Sequence, residues 1–127
     1  MIDVVDKPGQ ALDPALKRLL EQRQAPAPDY LHCATCSAVI SERGHAIEVN
    51  GQHQHFCTNP HGFEFQVACY REALGCTISG PREHADSWFP GFFWRIASCA
   101  DCHTHLGWYF DQEDLFFYGL VANRLQG

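Results

Sequence analysis

From Tyr30 onward the sequence predicts a mainly β domain tied together by a metal site, and three observations carry that reading. Short runs alternate apolar with polar residues, as half-buried strands do. Asn50-Gly51 is the turn chemistry that joins two such runs in a hairpin. Two Cys-x-x-Cys pairs, Cys33/Cys36 and Cys99/Cys102, sit near the two ends of this strand-rich region.

The N-terminal stretch stands apart. Asp13-Pro14 is a helix start: Asp caps, and Pro fits the first helical position. Leu12, Leu16, Leu19 and Leu20 recur near helical spacing, with Lys17, Arg18, Glu21 and Arg23 between them. Ala25-Pro26-Ala27-Pro28 then forms a stiff, extended linker. Residues 1–29 thus read as an amphipathic arm with its Ala/Pro linker, and residues 30–127 as the globular body. The arm's leucines either dock on that body or meet a partner.

Along the body, residues 45–49 alternate, and a second run follows the Asn50-Gly51 turn through Phe56. Phe63, Phe65 and Val67 alternate with Glu64 and Gln66. Residues 92–98, 106–110 and 115–118 read as further short strands. Asn59-Pro60-His61-Gly62 and Ser79-Gly80-Pro81 are expected to be turns. Residues 119–125 are expected to close the chain with one or two helical turns.

Composition bounds the function. A chain of 127 residues suits one domain with a real core. Its 46% apolar and 13% aromatic content excludes global disorder. Nine basic against fifteen acidic residues give a net charge of −6, which argues against nucleic acid and anionic membrane surfaces. No apolar run approaches the roughly 18 residues of a membrane span. Residues 1–10 lack a cationic-then-apolar signal pattern, so a cytoplasmic address is expected.

Seven cysteines in a chain without an export signal argue for metal rather than disulfides. Each Cys-x-x-Cys turn presents two thiolates, and two turns together make a closed tetrahedral site. One structural Zn2+ held by Cys33, Cys36, Cys99 and Cys102 is the expectation. A closed site has no open position for catalysis. Three other readings compete: a haem attachment at Cys99-x-x-Cys102-His103, a thioredoxin-like redox pair, and His32, His103 or His105 in place of a cysteine. Cys57, Cys69 and Cys76 read as small buried hydrophobes. Cys57, with His55 and His61 near in sequence, is the candidate nucleophile among them.

The aromatic residues cluster too. All three tryptophans, Trp88, Trp94 and Trp108, lie close together in the C-terminal half. Trp108 and Phe110 fall on one strand face, with Tyr109 opposite. The Cys99/Cys102 turn is expected to fold that strand back beside Trp94, so that three indoles wall a small pocket. Such walls suit a quaternary ammonium, through cation–π attraction, or a small ring with apolar CH2 faces and a polar edge.

The body resembles the thalidomide-binding domain of the cereblon family and its small stand-alone bacterial relatives. The resemblance rests on Cys33-x-x-Cys36, Asn59-Pro60-His61-Gly62, Ser87-Trp88-Phe89-Pro90-Gly91, Trp94, Cys99-x-x-Cys102, His105-Leu106-Gly107-Trp108 and Tyr118-Gly119-Leu120, in the family's order. It implies a β-tent of two antiparallel sheets pinned at their apex by a four-cysteine zinc. It implies a cage of Trp88, Trp94 and Trp108 with Phe110 at its base. Asn59 and Pro60 border the mouth on a mobile segment, and the backbone around Asp86, Ser87 and Trp88 reads the ligand's imide edge. Implied ligands are glutarimides of the thalidomide class, cyclised peptide C-termini and uridine-like pyrimidines. The sequence departs from the family at Asp86, where cereblon has His before the Ser-Trp pair. Nor is 127 residues long enough for cereblon's ligase-adaptor regions.

Together these readings predict a monomeric, non-enzymatic binding module. Two alternatives differ in class. One is an enzyme like the zinc-containing methionine sulfoxide reductases, whose catalytic cysteine segment is similar to Phe56-Cys57-Thr58-Asn59. The other is a methyl-ammonium reader, favoured by Asp86 beside Trp88.

Overall fold

The computed structural model describes residues 13–16, 18 and 28–127. In the arm, residues 14–16 and 18 are helical, and the Asp13 carboxylate accepts the Ala15 N–H at 2.7 Å. That is the expected cap. Leu12, Leu19, Leu20 and the linker through Ala27 lie outside the described residues. No helix among the described residues is long and apolar enough to cross a membrane.

The body is mainly β, as expected. Its strands are β1 (Tyr30–Cys33), β2 (Val39–Glu42), β3 (Gln54–Thr58), β4 (Glu64–Tyr70), β5 (Cys76–Glu83), β6 (Phe93–Cys99), β7 (His105–Gln112), β8 (Leu115–Val121) and β9 (Leu125–Gln126). They form two antiparallel sheets, one of three strands in the order β2-β1-β9 and one of six in the order β3-β4-β8-β7-β6-β5. The runs at residues 63–67, 92–98, 106–110 and 115–118 fall on observed strands, with Phe63 and Phe92 each one residue ahead of its strand.

The register aligns the functional side chains. Trp94 lies opposite Phe110, Ile96 opposite Trp108, and Phe110 opposite Phe117. Directly paired residues share a face, so these side chains project together. Arg95, Tyr109, Tyr118 and Tyr70 form a row on the reverse face. Close strand approach is enforced at Gly107. A β-carbon there would fall 2.1 Å from the Gly119 carbonyl oxygen.

Each face of the large sheet carries its own core. Leu31, Cys33 and Ile40 of the small sheet pack against Ala97, Cys99, Leu106 and Leu120. The other face buries Cys69, Phe89, Phe110 and Phe117, with the three tryptophans half-buried against them.

Two local expectations are corrected and a third is narrowed. Residues 45–49 are not a strand. A short 3-10 turn, Arg43–His45, precedes them, and they pair only through single bridges, Ala46 with Tyr70 and Val49 with Gln52. Their alternation has another cause: Ile47 and Val49 pack on the aromatic core while Ile47 N–H bonds the Cys69 carbonyl. The Asn50-Gly51 turn itself forms, with φ of 53° and 83°. Ser79-Gly80-Pro81 is not a turn between strands but a bulge inside β5, where the register with β6 shifts between Ser79 and Glu83. β5 is an edge strand, where proline's missing N–H is tolerated. Residues 119–125 contain a single 3-10 turn, Ala122–Arg124, between β8 and β9. β1, β2 and β5 emerge as strands beyond those marked by alternation.

Candidate functional site

The two Cys-x-x-Cys turns, one from each sheet, come together. Their four sulfurs lie within 4.8 Å of one another. Both turns use the same backbone design. Ser37 N–H bonds the Cys33 carbonyl at 2.8 Å, and His103 N–H bonds the Cys99 carbonyl at 2.9 Å. Ser37 and His103 both sit at φ 67°. Cys33 N–H reaches Ala38 O and Cys99 N–H reaches Thr104 O, each at 2.8 Å. Two superimposable knuckles thus face each other across the gap between sheets.

The spacing fits a metal. Cys33 Sγ lies 3.7 Å from Cys102 Sγ, and Cys36 Sγ lies 3.6 Å from Cys99 Sγ. A tetrahedral thiolate site with metal–sulfur distances near 2.3 Å has sulfur–sulfur edges of about 3.8 Å. The Cys102 thiol is pulled down to about 6 by hydrogen bonds at Thr104, side chain first and then backbone. Its sulfur is 3.0 Å from the Thr104 hydroxyl. These four cysteines can hold a metal ion, and among the described residues they form the one such cluster. His32, His103 and His105 are not members. His105 instead bonds the Gly107 carbonyl at 2.8 Å and packs edge-on against Trp108. The redox-pair and haem readings each use only one of the two knuckles and leave the other without a role.

The second site lies on the aromatic face. A cavity of about 330 Å³ is lined by Asn59, Pro60, Asp86, Ser87, Trp88, Trp94, Trp108 and Phe110. All eight residues singled out from the sequence as ligand-binding candidates border this one space. Trp94, Trp108 and Phe110 arrive from the β6–β7 hairpin, whose turn is the second cysteine knuckle. The remaining five come from the β3–β4 loop and the β5–β6 connection.

Hydrogen bonds and ring contacts brace the cavity walls. Trp88 and Trp108 meet edge to face, with centroids 4.7 Å apart. Trp88 Nε1–H donates to the Thr58 carbonyl at 3.0 Å, and Trp94 Nε1–H donates to the Ala85 carbonyl at 2.8 Å. Phe65 and His105 brace Trp108 from outside. Phe110, 1% exposed, closes the base against Phe89 and Phe117. Sequence reasoning missed Thr58, Ala85, Phe65 and Phe89 as supports. The first two act through backbone carbonyls, which leave no mark in a sequence, whereas Phe65 and Phe89 were visible as strand and motif residues.

The rim is ordered by its own turns. The Asn59 side-chain oxygen accepts His61 N–H at 3.0 Å and Phe63 N–H at 2.9 Å, closing the β3–β4 loop on itself. Ser87 N–H bonds the His84 carbonyl at 3.4 Å across a turn that holds Asp86 at φ 59°.

Cys57 shows no activation. It is 7% exposed, and burial pushes its thiol up. Burial does the same to Cys69 and Cys76, each to about 12. Thiols raised this way carry little thiolate and are poor nucleophiles.

No family model matches the chain. Curated proteins do. The chain is 38% identical over 73 residues to "Protein cereblon" of Xenopus tropicalis, a match covering 54% of this chain and 16% of that protein. It is 36% identical over 72 residues to "Protein cereblon" of Gallus gallus, covering 53% and 16%. It is 31% identical over 100 residues to that of Drosophila melanogaster, covering 73% and 16%. The matched stretch is thus a small part of these relatives.

Proposed function

We propose, from the premise that the body of this chain is a cereblon-family domain, that it is a small-molecule binding module for cyclic imides, without chemistry of its own. Glutarimides, cyclised peptide C-termini and uridine-like pyrimidines are the ligand classes. One Zn2+ on Cys33, Cys36, Cys99 and Cys102 completes the fold and supplies structural cross-linking of the two sheets. The observation that carries the reading is the convergence of Trp88, Trp94 and Trp108 on one cavity with a polar rim.

The physical fit is direct. A glutarimide has a ridge of CH2 groups and an edge bearing one N–H between two carbonyls. Three indole faces and Phe110 suit the ridge through apolar contact. The rim backbone around Asp86 and Trp88 offers N–H and C=O groups for the edge. Trp88 and Trp94 have their own N–H groups tied to backbone carbonyls, so little of the cage must reorganise when a ring enters. A ligand of so few atoms reaches micromolar affinity, about −8 kcal/mol, only if nearly every atom is in contact.

A tryptophan-fluorescence titration with glutarimide, against its ring-opened acid, tests this. Saturable quenching by the ring alone is expected. No response from folded, metal-loaded protein overturns the reading. The methyl-ammonium reading has one favouring observation, the Asp86 carboxylate on an aromatic cavity. Binding of trimethyl-lysine but not of glutarimide would establish it instead.

A further inference from the structure

We infer that Asp86 tunes the cavity by charge, so that a cyclised C-terminal residue preceded by a basic residue binds better than one preceded by an acidic residue. This rests on the imide reading above and names the peptide class that reading leaves open.

Phe110 forms the buried base of the cavity and the indoles line its sides, so a ring that packs on the base leaves whatever is attached to it pointing toward the exposed rim. Pro60 and Asp86 are exposed at that rim. Among the described residues, Asp86 is the only ionisable side chain lining the cavity.

Its carboxylate is uncommitted. Asp111 is held by Arg82 at 3.0 Å and Asp29 by Arg43 at 3.0 Å. Asp86 has neither ion-pair nor hydrogen-bond partner among the described residues. The turn holds Asp86 at φ 59°, a left-handed conformation that Asp and Asn adopt more readily than other side-chain-bearing residues. The turn is also fixed to the cage, because the neighbouring Ala85 carbonyl is the acceptor for Trp94 Nε1–H.

An exposed carboxylate attracts a nearby cation modestly and is screened by salt. The expected preference is therefore a few-fold, and salt-dependent. It comes on top of ring binding, which sets most of the affinity.

The test uses three acetylated dipeptides ending in the same glutarimide ring, with Lys, Gln or Glu before it, titrated into the full metal-loaded chain. Affinity is expected to fall in the order Lys, Gln, Glu, by about threefold per step at low salt. The order should compress in 0.5 M salt, a concentration at which the Debye length is only about 4 Å. In Asp86→Asn, which keeps a residue tolerant of positive φ, the three affinities should converge. In Asp29→Asn, which removes one charge beside the small sheet, the order should persist. Equal binding of the three peptides by the unsubstituted protein, or an order unchanged in Asp86→Asn, overturns the inference while leaving ring binding intact. Failure of all three peptides and of free glutarimide overturns the imide reading instead.

Discussion

The two faces of the six-stranded sheet are built from different materials. The face toward the small sheet centres on compact side chains, with Cys33, Ala73, Ala97, Cys99, Leu106 and Leu120 all at 0% exposure, and Tyr70 and Tyr118 are buried beside them. The opposite face is built from rings, with Phe110 at the bottom and three half-buried indoles above. Small side chains at the centre of that face pack closely. Large flat rings, each pinned by ring contacts or by an indole N–H to a carbonyl, cannot collapse inward and so keep a cavity open. One face therefore holds the sheets together and the other carries the aromatic cavity. They share the β6–β7 hairpin, with the metal knuckle at its turn and Trp94 and Trp108 along its strands.

This asymmetry predicts that damage travels one way. The largest effect is expected from Cys99→Ser, which removes a fully buried ligand. A structural zinc contributes on the order of 10 kcal/mol to folding. Loss of metal by elemental analysis, of the cooperative thermal transition, and of ligand binding together is the expected result. A folded variant that still binds glutarimide would show that the cavity does not depend on the clamp.

Acidification should reach the same end without mutation. Metal binding displaces thiol protons, so affinity for the metal falls with pH. Within the cluster, hydrogen bonds at Thr104 hold the Cys102 thiol down, whereas Cys36 is held up. A thiol held down contributes stability above its ordinary range and loses it as pH falls. Metal release, followed with a chromogenic chelator, is expected to rise progressively on acidification as protons compete for the four sulfurs. Glutarimide binding should fail in step with it and not before.

Gly107→Ala tests the shared strand itself. Its new methyl would meet the Gly119 carbonyl and Leu120 Cα, both backbone, so strand β7 must move. A loss of about 3 kcal/mol in denaturant unfolding is expected. Trp108→Ala is the reverse case. It should weaken glutarimide binding by about 2 kcal/mol or more, roughly thirtyfold, while metal content stays at one per chain. Binding that survives this change would break the cage assignment. The smallest effect is expected for Phe56→Ser. Phe56 is 85% exposed and belongs to neither core, so stability should move by less than about 0.5 kcal/mol.

What the sequence by itself determined is chemistry of short range. Cysteines two residues apart place two thiolates on one turn whatever the surrounding fold, so Cys33, Cys36, Cys99 and Cys102 were legible as ligands. Alternation at residues 63–67 marks a half-buried strand, and the two-residue period of any strand puts Trp108 and Phe110 on a shared side. The motif resemblance extended this to Trp88, Asn59 and Asp86, which spacing could not have joined. Tertiary structure alone decided the rest. Residues 45–49 alternate as a strand does, but no neighbouring strand lies in register with them, so burial of Ile47 and Val49 proceeds without a ladder. Ser79-Gly80-Pro81 carries turn residues, yet β6 alongside converts it into a bulge. The carbonyls of Thr58 and Ala85 became cage anchors only because the β3–β4 loop and the β5–β6 connection converge. Ligand spacing and strand alternation are written in neighbouring residues. Register, bulges and backbone acceptors are set by pairing partners distant in sequence, and that information exists only once the sheets have formed.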